Sequence, residues 1–464
     1  MRIAIINHDD FSIWTFRRAL IRRLVADGHD VDILCGKGPY IDRILDLGVR
    51  WVPMEMPRFI TPAEDMKWVW RLWRMFRHGR YDLVHLFQNK VIVYGAITAT
   101  LAGVDRICAS STGIGYITND IPGLKNRIVA TITKTLYRMA MPRIDKVLFQ
   151  NEYDRDHMIA AGYIPESRTV LVRGSGVCPD EYAPGNEDRA AAAEIARRLG
   201  DTGGRVVVAM VARAVLTKGV AEFIEASRMV EAEMPGKALF VLWGDIEADN
   251  PETLSPADLR AAEHPGFRWM GWCDTVREAL AAADIATLPS YREGTPRSML
   301  EAMAMAKPLV TTIAPGCEAL VDDGRNGFLV PVKTSRPLAD AIGKLVAAPD
   351  LRRRMGAASR EKCAAEFSDR IVVGRILSEL YEIGPTEDAD EPHVLVEEVD
   401  GGVEIGDLRQ AEDAVAHDGF LRDRGRPSGP GDRGAGHAEQ YSQSDERAAT
   451  PNRPGDKAHS AAST

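Results

Sequence analysis

Paired cysteines, long apolar runs and a leader-like start are all missing from this 464-residue chain. The six cysteines, at 35, 108, 178, 273, 317 and 363, form no Cys-x-x-Cys pair, which argues against a zinc site or a disulfide framework and fits a reducing cytoplasm. The longest apolar stretch, residues 91–104, is broken by Gly95 and falls short of the roughly 20 residues that a membrane span requires. It predicts a buried helix instead. The first residues, Met-Arg-Ile-Ala-Ile-Ile-Asn, run straight into charge and read as a strand rather than a signal peptide. No internal repeat stands out, and an acidic pI of about 5.7 with no recognisable nucleic-acid motif argues against binding DNA or RNA.

What the chain does have is 45% hydrophobic residues, enough at this length for two sizeable cores and a tail. Short β-rich runs at 2–7, 30–35, 50–54, 83–87, 106–110 and 146–150 alternate with helical patterns such as 13–27, and 170–177 reads as one more strand. A second series follows at 205–211, 238–243, 283–288 and 309–312. The pattern predicts α/β architecture with two doubly wound, Rossmann-like domains. The first covers 1–180 and the second 189–367, joined by a polar linker at 179–188, with a last amphipathic helix at about 368–383. Residues 385–464 form a low-complexity tail. From 422 onward it is rich in Gly, Pro, Ser, Arg and Asp, too poor in large apolar groups to offset ordering entropy, and is expected to be disordered.

Charge is uneven. Residues 1–150 carry 22 Lys and Arg against 14 Asp and Glu, inside a chain whose net charge is −9. Part of that excess lies in 67–80, where Trp68, Trp70, Trp73 and Phe76 alternate with Lys67, Arg71, Arg74, Arg77 and Arg80. Two readings fit: a helix resting on an anionic bilayer surface, or an ordinary amphipathic helix with its aromatics inside.

The window Tyr291-Arg-Glu-Gly-Thr-Pro-Arg-Ser-Met-Leu-Glu301 concentrates the chemistry. Gly294 permits a tight turn, and Thr295 followed by Pro296 predicts an N-cap and a first helical residue, with a helix from about 296. Its free N–H groups would face an anion such as a diphosphate. Glu293 in the loop and Glu301 in the helix then suit hydrogen bonds to hydroxyls of one extended ligand, a sugar and a ribose respectively. As isolated residues they would read as a helix-end charge and an exposed helix position.

This window, with Glu-x7-Glu spacing, resembles the retaining glycosyltransferases of family 4. The resemblance continues through Gly271-Trp-Cys-Asp274, residues 283–290, Lys307-Pro-Leu-Val-Thr-Thr312, Ala314-Pro-Gly-Cys317 and residues 323–331, and spans nearly all of 1–383. It implies a GT-B fold, two Rossmann-like domains facing a central cleft, with the last helix crossing back onto the first domain. It implies Arg213 and Lys218 on the donor diphosphate and Glu293 on the donor sugar as the catalytic set. Glu301, Gly294, Thr295, Pro296 and Arg297 complete the donor site, with no metal and no cofactor, because fixed cations take the metal's place. Where many members have Gly before Lys-Pro, this chain has Ala306.

In the first domain, Phe16-Arg17, Thr112-Gly-Ile-Gly-Tyr116 and residues 149–155 resemble a bacterial branch acting on undecaprenyl-diphosphate-linked sugars. The resemblance implies an acceptor site using Arg17, Lys90, Gly113, Gly115 and Tyr116, with Lys90 readable equally as a solvated surface residue. His8 and His85, near strand ends, fit either a structural role or one in the cleft. The expected protein is thus a UDP-sugar-dependent hexosyltransferase in glycan assembly. Its expected partners are a lipid-linked saccharide and the anionic inner face of the cell membrane, where it would sit peripherally in the cytoplasm; nucleic acid is not among them. A UDP-N-acetylglucosamine 2-epimerase of like architecture, or an inactive scaffold of a glycan-assembly complex, are the alternatives.

Overall fold

The computed structural model describes residues 1–56, 61–111, 113, 124–247, 250 and 252–384, the side chains of 62 and 124–130 excepted. The expected tail, and Thr112, Gly115 and Tyr116, lie outside the described residues.

Two parallel sheets organise the chain. The first contains β1 (Arg2–Ile6), β2 (Asp30–Cys35), β3 (Arg50–Pro53), β4 (Leu83–Phe87), β5 (Arg106–Ser111), β6 (Lys146–Phe149) and β7 (Thr169–Leu171), in the order β3-β2-β1-β4-β5-β6-β7. The second contains β8 (Val206–Val211), β9 (Ala238–Trp243), β10 (Phe267–Gly271), β11 (Ile285–Leu288), β12 (Leu309–Thr312) and β13 (Gly327–Val330), in the order β10-β9-β8-β11-β12-β13. Central strands such as β4 and β9 are buried along their whole length, as helices on both faces require. In register, Ile3 of β1 lies between Val31 of β2 and Leu83 of β4. Strand order therefore reverses between β1 and β4, and again between β8 and β11. Ligand crevices in open α/β sheets form outside the carboxyl ends of strands at such points. In the second sheet those ends lead into residues 212–219 and 289–296.

Apolar clusters cover both faces of each sheet. The chain returns to the first sheet at its end: helix Asp369–Arg375 and the π-helical turn Ile376–Leu380 pack Val372, Ile376, Leu380 and Tyr381 with Ile3, Ile5, Leu20 and Phe87. Where the chain crosses between domains, its two passages are bonded to each other. Val177 donates to the Phe367 carbonyl at 3.1 Å, and Asp369 donates to the Val177 carbonyl at 2.9 Å.

Several elements depart from the sequence reading. The run 170–177 is a strand only at its start, because Gly174 and Gly176 take φ of 78° and 76° and turn the chain. Strands β10 and β13 were not expected, because Arg268, Gly271 and Gly327 dilute their patterns. At the free edge of β10, the Phe267 carbonyl accepts from the His264 N–H at 3.3 Å, Arg260 reaches the Trp269 carbonyl at 3.3 Å, and Arg198 reaches the carbonyls of Met270 and Trp272, the latter at 3.0 Å.

Helix Pro62–Gly79 divides its aromatics. Trp68, Leu72 and Phe76 recur every fourth residue and are buried, each stabilising the fold by about 1.5–3 kcal/mol. Met66, Trp70 and Trp73 face outward, with Trp70 54% exposed and Arg74 lying 4.9 Å from its ring. No helix among the described residues is long and apolar enough to cross a membrane.

Candidate active site

The crevice at the end of β8 and β11 gathers the charged residues singled out above. Lys218 closes the short 3-10 turn Leu216–Lys218, ahead of Gly219 and helix Val220–Glu233. Gly219 has φ 78°, and a Cβ there would overlap the Pro289 carbonyl, so only glycine lets the two loops approach so closely. That approach lets the Tyr291 N–H donate to the Thr217 carbonyl at 2.9 Å and brings Lys218 Nζ to 2.5 Å from Glu293 Oε1. Both side chains are largely buried. Arg213, on the same loop as Lys218, is half-exposed and pairs with Glu247 at 2.6 Å. Each cation thus already holds a carboxylate, and an incoming diphosphate would compete for both.

The helix after the loop is Arg297–Ala304, one residue later than expected, with Pro296 as its N-cap and no side-chain cap. Thr295 lies one residue ahead of that N-cap, and its hydroxyl donates to the Gln150 carbonyl of the first domain at 3.2 Å. The helix's first turn still leaves N–H groups without intrahelical partners. Ser298 donates to the Val211 carbonyl at 2.9 Å, fixing that turn against the end of β8.

Glu301 is buried rather than exposed on the helix. Its Oε1 accepts from Arg297 Nε at 2.8 Å and from the Tyr182 hydroxyl at 2.9 Å, while Oε2 has no hydrogen-bond partner among the described residues. Arg297 also donates to the Gly176 carbonyl. Burial alone would pull the Arg297 guanidinium down, but the Glu301 charge and Tyr182 outweigh it and hold it above the usual arginine range. Burial pushes Tyr182 up as well, with the Glu301 charge adding to it. Cys317, enclosed beside Glu293, is pushed up to about 12 by burial and that neighbouring charge, which leaves it a protonated, inert thiol.

The crevice of the first domain is organised differently. Arg17 is buried, its guanidinium 4.0 Å from the centre of the Phe87 ring, and its Nε has no hydrogen-bond partner among the described residues. Burial draws Arg17 down to about 9. Lys90 pairs with Asp65 at 2.6 Å, joining helix Asn89–Ala102 to helix Pro62–Gly79. Gly113 takes φ 139° and its carbonyl accepts from Asn89 Nδ2 at 3.2 Å. His85 does not face the cleft. It is wholly buried between the Tyr381 hydroxyl at 2.7 Å and Ser110 Oγ at 2.8 Å, and burial with the nearby Arg17 charge lowers its pKa well below the ordinary value. His8 is half-buried with Nε2 unpartnered among the described residues.

Glu247 and Tyr182, which contact Arg213 and Glu301, were not singled out by sequence, and Asn151, Asp154 and Arg292 fell inside the quoted segments 149–155 and 291–301 without their contacts across the chain being foreseen. Each acts through a contact with a residue distant in the chain, which a local pattern cannot reveal. Among the described residues no group of three or more His, Cys, Asp or Glu is placed to hold a metal ion.

Comparison with known proteins bears on both crevices. A family model described as glycosyl transferases group 1 matches residues 205–348, and one described as a glycosyl transferase 4-like domain matches 13–174. The N,N'-diacetylbacillosaminyl-diphospho-undecaprenol alpha-1,3-N-acetylgalactosaminyltransferase of Campylobacter jejuni is 26% identical over 383 residues, covering 82% of this chain and 98% of its own. An Escherichia coli UDP-Gal:alpha-D-GlcNAc-diphosphoundecaprenol alpha-1,3-galactosyltransferase is 26% identical, covering 68% of this chain and 79% of its own. Among solved structures, Anabaena HepE in complex with UDP and glucose superposes with a TM-score of 0.67 at 17% identity, over 82% of this chain and 100% of that one. WaaG, a glycosyltransferase involved in lipopolysaccharide biosynthesis, superposes at 0.63 and 14% identity, over 82% and 99%.

Proposed function

The chain belongs to the group 1, family 4-like glycosyltransferases of GT-B fold, and from that premise we propose that it moves a hexose or N-acetylhexosamine from a UDP-sugar to a polyprenyl-diphosphate-linked saccharide. Anomeric configuration is retained in this reading. The observation that carries it is the crevice at the end of β8, where Lys218 and Arg213 stand on one loop beside the start of helix Arg297–Ala304. As the glycosidic bond breaks, the leaving diphosphate gains negative charge. Fixed cations and backbone N–H groups aimed at it stabilise that state more than the bound donor, which lowers the barrier. Lys218 and Arg213 exchange their carboxylate partners for phosphate oxygens, and no metal is called for. Glu293, released from Lys218, orients the donor sugar, and the free Oε2 of Glu301 takes a ribose hydroxyl. The acceptor hydroxyl attacks from the leaving-group face and its proton passes to the departing phosphate.

Support for the acceptor class comes from two sources. The relatives named above act on undecaprenyl-diphosphate-linked sugars according to their names. In this chain Arg17 is a buried guanidinium with an unused Nε in the first domain's crevice, and a buried cation short of hydrogen bonds is well matched to a phosphate. The exposed Trp70, Trp73 and Met66, with Arg71 and Arg74 on the same helix, suit docking to an anionic membrane surface where such an acceptor resides.

The test is a screen of UDP-hexoses and UDP-N-acetylhexosamines with purified protein, with and without an undecaprenyl-diphosphate-linked sugar, following UDP release and glycolipid mass. A gain of one sugar with one donor is expected. UDP binding with no transfer to any lipid acceptor would overturn the acceptor assignment and favour a soluble acceptor, an epimerase or an inactive relative.

A further inference from the structure

The donor loop is held from both domains. Its own domain contributes the Thr217 carbonyl, which accepts from the Tyr291 N–H, and the Pro315 carbonyl, which accepts from the Glu293 N–H at 2.9 Å. Gly316 backs the loop so closely that a Cβ there would overlap the carbonyls of Glu293 and Gly294. From the opposite domain Gly174 packs against Thr295, and the hydrogen bonds to the loop come from one short segment after β6. Asn151 Nδ2 donates to the Glu293 carbonyl at 3.1 Å and lies 3.4 Å from the Gly294 carbonyl; the Gln150 carbonyl accepts from Thr295; and Asp154 forms an ion pair with Arg292. Asp154 is 1% exposed, and Arg292 also covers the Tyr153 ring at 4.9 Å.

We propose that residues 150–154 are a latch that sets the donor loop for transfer, with Asn151 and Asp154 as positioning residues acting through Glu293 and Arg292. This rests on the glycosyl-transfer reading above. Asn151 is occupied at both ends: its Oδ1 accepts from the Asp154 N–H at 2.8 Å and caps helix Glu152–Ala160, while its Nδ2 grips the loop. Rigid attachment to its own helix is what makes that grip informative, because the position of the Glu293 carbonyl then reports the setting of the whole first domain. Nucleotide contacts at Lys218, Arg213 and Glu301 all come from the second domain and need no latch. Placement of the sugar against an acceptor in the first domain does need it. The latch therefore couples domain closure to alignment of the reacting atoms, and leaves nucleotide affinity alone.

The partition between binding and turnover tests this. Asn151→Asp keeps the capping oxygen and replaces the donor with a carboxylate facing two carbonyls; Asp154→Ala and Arg292→Ala, singly and together, break the ion pair. In Asn151→Asp, amide exchange in a peptide covering 291–296 is expected to rise by about tenfold or more. UDP affinity is expected to stay within about threefold and kcat to fall by about 100-fold, the effect of an ångström-scale misplacement. The Asp154→Ala/Arg292→Ala double variant should lose no more turnover than either single one. Unchanged exchange at 291–296, or UDP affinity falling in step with kcat, overturns the latch. If the unaltered enzyme transfers sugar to no acceptor, the functional reading fails, while the exchange measurement still decides whether the latch exists.

Discussion

Glu301 offers the sharpest test of the donor site, because its two oxygens are assigned different work. Oε1 is bonded to Arg297 and Tyr182, and in the proposed mechanism Oε2 takes a ribose hydroxyl. Glu301→Ala removes both functions and strands Arg297, whose side chain is only 15% exposed. Removing one partner of a buried ion pair costs about 3–5 kcal/mol. Because Arg297 keeps the Gly176 carbonyl, the lower end applies, and about 3 kcal/mol corresponds to a fall of roughly 6–12 °C in Tm for a domain of this size. Glu301→Gln keeps an oxygen facing Arg297 and Tyr182 and should lose only about 1–1.5 kcal/mol of stability. Its loss of charge falls instead on the ligand: one charge-assisted hydrogen bond of about 1.5–3 kcal/mol, or roughly 10- to 150-fold in UDP affinity. Scanning calorimetry and titration calorimetry with UDP read the two quantities separately. A Glu301→Gln protein that binds UDP as tightly as the parent would refute the division of labour, leaving Glu301 a structural partner of Arg297.

Four further outcomes are expected. Lys218→Ala should lower kcat by about 100- to 1,000-fold with unchanged circular dichroism if, as proposed, Lys218 stabilises the leaving diphosphate; near-normal turnover would take Lys218 out of the mechanism. Asp32 is buried, which raises its pKa, but hydrogen bonds from Arg50 and Tyr81 and the charges of Arg50 and Arg2 more than reverse this and hold it below the ordinary carboxylate value. Its stabilising effect is therefore complete above the unfolded-state pKa and lost as pH falls through the lower folded-state value, so Asp32→Asn should destabilise at neutral pH, and urea melts should show the gap closing in strong acid. Reversing Arg71, Arg74 and Arg77 to Glu should abolish flotation with anionic vesicles, by about 3 kcal/mol or more at low salt; unchanged flotation refutes membrane docking through this helix. Ala306 sits at φ 55°, where a Cβ costs about 1–2 kcal/mol, so Ala306→Gly should raise Tm by a few degrees even after its added unfolded-state entropy.

The last of these shows what a sequence reveals. Ala306, at a position where the family resemblance implies Gly, takes the left-handed backbone that glycine adopts without strain. Fully buried strands such as β4 and β9 were legible because a parallel strand covered on both faces reads as a near-continuous apolar run, broken in β4 only by His85. Strands β10 and β13 were not, since Arg268, Gly271 and Gly327 interrupt their apolar pattern. The spacing of Glu293 and Glu301, with Lys218 ahead of Gly219, pointed to the loops that meet at the ends of β8 and β11. It did not reveal that Glu301 is buried and bonded through one oxygen, or that Thr295 turns toward Gln150 instead of capping its helix. Those facts depend on Tyr182 and the segment after β6, over a hundred residues away along the chain.

The free edge of β10 has a consequence for the protein's life in a crowded cell. An exposed parallel strand is a template on which another chain can add a strand by backbone hydrogen bonding. Here the outward carbonyls of Phe267, Trp269 and Met270 are already taken by His264, Arg260 and Arg198 from the same chain. Charged side chains occupy the rail along which a neighbour would have to zip. At this edge the second sheet therefore ends in a sealed border, which blocks strand addition by a neighbouring copy and the fibril growth that would start from it.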